Sequence, residues 1–182
     1  MSYENTRVRF CAILEQETKN PILSSQSAYD NLCVLLSIVL DQVHAEFDVA
    51  RGVRIINISN NFYLESKEAG SRPRNYLILG LVDHRLWRNL DFWEQAILES
   101  LCEELRTNLY SLAEDPGERD REALRRNLTF YKLCSLQYDM LTLEVPKAEV
   151  RKLVGLFAQS YKLLDSQKRD LEQKLYAFGE DP

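Results

Sequence analysis

Apolar residues recur at helical spacing along most of the chain. Over residues 28–43, Leu32, Leu35, Leu36, Val39, Leu40 and Val43 follow i, i+3, i+4 order with more apolar residues on the flanks, which predicts a central helix. Residues 3–18 place Phe10, Ile13 and Leu14 on one side and predict a first helix that stops before Asn20-Pro21, where proline resists continuation. A Ser-rich link at 24–27 separates the two. Residues 47–63 put Val49, Val53, Ile56, Asn60 and Tyr63 on one stripe and Asp48, Arg51, Asn57 and Asn61 on a polar side, which favours a helix; β-branching makes a strand at 53–58 the competing assignment. The Gly, Ser and Pro of residues 67–75 predict an exposed loop. The apolar stretch 76–82 reads as a short helix, with a buried strand as its alternative.

Asp115, Pro116 and Gly117 make a turn, and a helix follows over 118–143. Leu124, Leu128, Tyr131, Cys134, Tyr138 and Leu141 form its stripe, widened by Leu133, Leu136, Met140 and Leu143, so it should pack from more than one side. Pro146 suits the first turn of a last helical region. There Val150, Val154, Phe157, Tyr161, Leu164, Lys168, Leu171, Leu175 and Phe178 alternate steps of four and three, a heptad seam interrupted at Lys168. A continuous helix here would be a rod of roughly 45 to 50 Å; Asp165-Ser166 is where a hairpin would divide it. Gly155 and Lys168 weaken a free-standing seam, so intramolecular packing is preferred to a homodimeric coiled coil. The expected fold is all-α, a multi-helix bundle or αα-array of about six to seven helices. Residues 1–145 form the bundle, and 146–182 a long amphipathic C-terminal helix packed on it or projecting from it.

Residues 86–105, LWRNLDFWEQAILESLCEEL, hold both tryptophans, Trp87 and Trp93, together with Phe92. Asp91 stands where an N-cap belongs, Glu94 can answer it three residues on, and Leu90 can staple. From Trp93, Ile97, Leu101 and Leu105 recur at helical spacing. Packing between helices accounts for most of this aromatic mass. Two tryptophans within seven residues beside Arg85 and Arg88 also suggest a hot spot, with Trp87, Phe92 or Trp93 as a partly exposed anchor for a protein partner.

Composition narrows the classes. Of 182 residues, 45% are hydrophobic and 28% charged, with six glycines and five prolines, which describes an ordered, helix-rich chain. Net charge of −5 argues against a general nucleic-acid binder. Cys11, Cys33, Cys102 and Cys134 are scattered in helical contexts and read as buried reduced thiols, which suits the cytoplasm. The longest apolar run, residues 33–40, falls short of a membrane span, and no leader is apparent.

The search for chemistry yields little. His44 and His84 are the only histidines and neither lies in a ligand set, so no metal site is expected; no GxSxG elbow and no phosphate-binding glycine loop occurs. Glu103-Glu104 and the charges of 118–122 read as solvated helix faces. Neither catalysis nor a cofactor is expected. Between Arg51 and Arg88, seven cations face three acids, leaving that segment at +4 and the remaining chain at −9. Arg72, Arg74, Arg85 and Arg88 are therefore candidates for holding an anionic lipid head group, should the fold gather them.

The segment LWRNLDFWEQA resembles the helical region of large DENN-type Rab regulators, the set-binding-factor myotubularin pseudophosphatases and the MAP-kinase-activating death-domain protein, in which an LW, a short gap and FWE precede a long helix. The similarity spans roughly residues 27–143, and its distinctive part is 87–96. It implies a noncatalytic helical module in proteins that regulate membrane traffic. Neither a DENN exchange region nor a phosphatase domain is evident, so neither activity carries over. The expected role is thus a cytoplasmic scaffold or adaptor, binding a protein partner through the aromatic patch, the C-terminal helix, or both. A peripheral membrane module binding through the basic segment is the alternative, and an enzyme with an unrecognised site the second alternative.

Overall fold

The computed structural model describes residues 3–19, 21–65, 74–110 and 118–178. The predicted turn at 115–117, and the loop 67–75 apart from Arg74 and Asn75, lie outside them. The fold is all-α, with seven α-helices among the described residues and one small two-stranded sheet. The chain divides into two compact units, Met1–Phe92 and Trp93–Pro182. The division thus falls within the first turn of a helix and not ahead of Pro146, where periodicity alone would place a boundary.

In the first unit, α1 (Tyr3–Gln16) runs into a 3-10 turn, Glu17–Lys19. Helix α2 (Gln26–Glu46) starts where the Ser25 hydroxyl accepts from the Ala28 N–H at 3.2 Å. It ends at Phe47, whose φ of 54° lies in the left-handed region, so that Asp48 immediately caps α3 (Val49–Asn61) by accepting from the Arg51 N–H at 3.0 Å. Helix therefore prevails over the competing strand at 53–58. The strands lie just beyond it: β1 (Tyr63–Glu65) pairs antiparallel with β2 (Arg74–Tyr76). The apolar stretch after β2 forms not an α-helix but the tighter 3-10 helix Leu77–Leu81, and a second one, Arg85–Arg88, follows.

Leu36, Leu40 and Val43 of α2, Ile55 and Ile56 of α3, and Leu77, Ile78 and Leu81 make the core of this unit. Two cross-links tie its elements. Arg54 on α3 donates twice to the Glu15 carboxylate on α1, at 2.8 and 2.6 Å, and these bonds hold that carboxyl below its ordinary range. The Tyr29 hydroxyl donates to the Tyr76 carbonyl at 3.2 Å, and burial pushes its pKa up to about 12, so it stays protonated.

In the second unit, α4 (Leu90–Tyr110, of which Leu90–Phe92 belong to the first unit), α5 (Glu118–Thr142), α6 (Lys147–Ser160) and α7 (Asp165–Ala177) follow in order. Helix α5 packs against both α6 and α7, as its wide stripe requires. The C-terminal region is a hairpin. Lys162, at φ 53°, reverses the chain after α6, and Gln167 reaches back to accept from the Leu164 N–H at 3.0 Å as α7 begins. Of the heptad seam, Val150, Val154, Phe157, Leu171 and Leu175 are buried within this chain, but Leu164 is exposed and Tyr161 and Phe178 are half-buried. The turn takes Tyr161 and Leu164 off the seam and buries Leu163 instead, while Phe178, just past the end of α7, packs edge to face on Tyr138. Two amides pin α7 to α5: Gln137 donates to the Leu171 carbonyl at 2.9 Å, and Gln167 donates to Asn127 at 3.1 Å.

Two helical glycines give opposite expectations. A Cβ on Gly52 would stand 2.5 Å from the Phe92 ring, whereas one on Gly155 would meet nothing within 4 Å. Gly52→Ala should lower stability by about 1 to 3 kcal/mol, because overpacking outweighs helix propensity. Gly155→Ala should raise it by about 1 kcal/mol through propensity alone. Urea unfolding of the two variants checks both signs.

Candidate functional site

The aromatic landmark is built from the turn upward. His84 accepts from the Leu86 N–H through Nδ1 at 3.2 Å and so starts the 3-10 helix Arg85–Arg88. That helix delivers Trp87 inward, where its Nε1–H donates to the Leu81 carbonyl at 2.7 Å. Asn89 then opens α4: its Oδ1 accepts from the N–H groups of Asp91 and Phe92, at 3.0 and 3.3 Å. The N-cap is therefore Asn89 and not Asp91, and Leu90 is already helical. Asparagine caps as well as aspartate does, and Asp91 remains as a favourable first-turn charge.

Trp87 meets Phe92 edge to face, with ring centroids 5.9 Å apart, and Phe92 fills the space beside Gly52. Trp87, Phe92 and Trp93 are 1%, 0% and 0% exposed. The expectation of a partly exposed anchor is corrected: all three are core, because helical spacing and the tight turn aim them inward.

The basic candidates sit on different elements. Arg74, on β2, is exposed and lies over the Tyr63 ring, 4.6 Å from its centroid. Arg85 binds Asp41 of α2 at 2.9 Å, and Arg88 is exposed on the same 3-10 helix. Arg72 lies outside the described residues. Cys11 is buried as expected, but Cys102 is exposed. Among the described residues no group of His, Cys, Asp and Glu could hold a metal ion, and no helix is long and apolar enough to cross a membrane.

A surface that includes Leu35, which the sequence pattern placed on the apolar stripe, stands open. Val34, Leu35 and Ile38 project from α2 at 60%, 47% and 53% exposure, on the side opposite Leu36, Val39, Leu40 and Val43. Asn31 and Asp41, also exposed, bracket them one turn away at either end. The signal was in the sequence: residues 28–43 are apolar around more of the helix than one core can cover.

His84 also makes a titratable joint. With Nδ1 accepting, its proton sits on Nε2, 3.6 Å from Asp41. Burial holds the imidazole below its ordinary pKa; Arg85 and His44 push the same way, against Asp41.

Trp93→Ala should cost about 3 to 5 kcal/mol, read as a shifted urea midpoint, since it empties a fully buried site. The neutral form of His84 is the one folding favours. Stability should therefore be full above the unfolded pKa of about 6.5 and fall as pH drops from there through the lowered folded value, because the unfolded chain takes the proton first. Melting temperatures between pH 8 and pH 5 should show this loss, and His84→Asn, which can still accept from Leu86, should flatten it.

Comparison with models of known protein families, with curated proteins and with solved structures finds no match to this chain.

Proposed function

We propose that the chain is a noncatalytic protein-interaction module, a scaffold or adaptor of the membrane-traffic or signalling kind, acting at a cytoplasmic or membrane-peripheral location. The observation that carries it is the α2 stripe of Val34, Leu35 and Ile38, three large apolar side chains exposed together in the middle of a helix whose other face fills a core. Such side chains cost free energy in water at about 25 cal/mol per Å² of apolar surface, and a partner that covers them recovers it. A polar border with an apolar centre is the usual composition of an interface. An amphipathic helix is the partner element such a stripe suits, because a second helix can lay its own apolar ridge between positions 34, 35 and 38. The likeness of LWRNLDFWEQA to the DENN-type regulators supports the same class.

The buried Trp87 keeps a part in this proposal as scaffolding. It fixes the turn that carries Arg85, and Arg85 holds Asp41 at the rim of the stripe.

A photo-crosslinking residue at position 35 should form a discrete adduct with a cell protein, whereas the same residue at Tyr131, which is exposed on α5, should not. Leu35→Glu with Ile38→Glu should abolish that adduct's binding while moving the melting temperature by no more than about 2 °C. Equal labelling at both positions, or undiminished binding by the double variant, would count against the α2 surface.

A further inference from the structure

Within the second unit, α6 and α7 leave between them a cleft of about 330 Å³, at the small end of the roughly 300 to 1,000 Å³ usual for ligand pockets. Its floor is apolar: Val154, Ala158, Leu171 and Leu175 line it and are buried. Gln137 of α5 lies among them at 3% exposure. Its amide N–H is committed to the Leu171 carbonyl at 2.9 Å, which leaves Oε1 as the acceptor it can offer. The cleft stays open at Gly155, where an added Cβ would meet nothing within 4 Å.

Two opposite charges share this cleft without meeting. Arg151 on α6 lies over the Tyr176 ring of α7, 4.9 Å from its centroid. The antiparallel register therefore sets Gly155, about one turn on from Arg151, opposite Glu172, about one turn back from Tyr176. Among the described residues neither Arg151 nor Glu172 enters an ion pair, whereas Lys168, which also lines the cleft, is taken by Asp165 at 3.4 Å. An unbridged Arg and Glu on facing helices suit a ligand that carries both complementary charges.

From this geometry we infer that the cleft binds a free α-amino acid with a large apolar side chain. Its carboxylate meets Arg151, its ammonium meets Glu172 and the Gln137 Oε1, and its side chain lies on the apolar floor. Stacking on an aromatic ring uses the face of a guanidinium and leaves the N–H edge to fork onto a carboxylate. An ammonium brings three donors, so two protein acceptors and water satisfy it. Gly155 supplies the room in which the ligand's own backbone sits. A fatty carboxylate would place a second anion beside Glu172, and a simple amine would leave Arg151 unanswered; the zwitterion answers both. Burying a leucine-sized side chain is worth about tenfold to a hundredfold in affinity, more than either exposed charge supplies. The floor thus selects the side chain and the rim selects the amino acid.

This inference is independent of the α2 stripe, and its failure would leave that reading standing. Its test is a heteronuclear NMR titration of the full chain with L-leucine and L-phenylalanine, beside L-alanine, L-leucinamide and 4-methylpentanoate. Saturable shifts at residues of α6 and α7 are expected for the first two probes. L-Alanine should bind at least about tenfold more weakly, and the amide and the acid at least about threefold more weakly. Arg151→Gln should weaken leucine about threefold without affecting leucinamide, and Glu172→Gln should do the same without affecting 4-methylpentanoate, a pairing that a merely structural role would not produce. Gly155→Leu should abolish binding while leaving the melting temperature unchanged or higher, because it fills an open space and replaces a helical glycine. The inference is overturned if neither amino acid gives saturable shifts, if 4-methylpentanoate or leucinamide binds as tightly as leucine, or if Gly155→Leu binds undiminished.

Discussion

Gly52 leaves a hole in the side of α3, and the Phe92 ring occupies it. No other residue type at position 52 permits that approach, since even a methyl group would stand 2.5 Å from the ring. Trp87 then packs edge to face on Phe92, and its indole N–H is satisfied by the Leu81 carbonyl, so the largest buried side chain of the unit carries no unpaired donor there. Through these contacts α3, the two 3-10 turns and Phe92 are fixed against one another. What the surface offers nearby follows from this: Arg85 held on Asp41, His84 capping the turn, and the outer face of α2 left clear.

The second unit is held differently. Its apolar seam is divided by the turn at residues 161–164, and buried amides supply the register between helices. Gln137 and Gln167 each commit a side-chain N–H to a partner across the α5–α7 contact, one to the Leu171 carbonyl and one to Asn127. A buried amide is costly unless paired, so each bond excludes neighbouring registers as well as stabilising the observed one. An apolar seam alone would not set register so sharply.

Helical periodicity made the elements legible, because burial of one face repeats every 3.6 residues whatever the tertiary context. It failed where short range meets long range. Asn89 and Asp91 are both good caps, and only the preceding 3-10 turn, started by His84, decides that Asn89 acts. The heptad steps ran through Leu164 because a four-residue turn barely changes the count of apolar spacings, yet it turns that side chain to solvent. The tryptophans looked like a site by their rarity, but rarity does not report burial. Conversely, Leu35 was counted as core, although Leu36, Val39 and Leu40 already filled the inward arc.

Among the described residues three adopt left-handed backbone without being glycine: Phe47, Glu144 and Lys162. Each stands at a reversal between consecutive helices, so α2 with α3, α5 with α6 and α6 with α7 are joined by connections of only a few residues. Closing loops this short costs little chain entropy. Contacts so local favour folding on the fast timescale of helical proteins, and the bonds spanning about forty residues, Arg54 with Glu15 and Gln167 with Asn127, are the long-range ties that each unit adds to them.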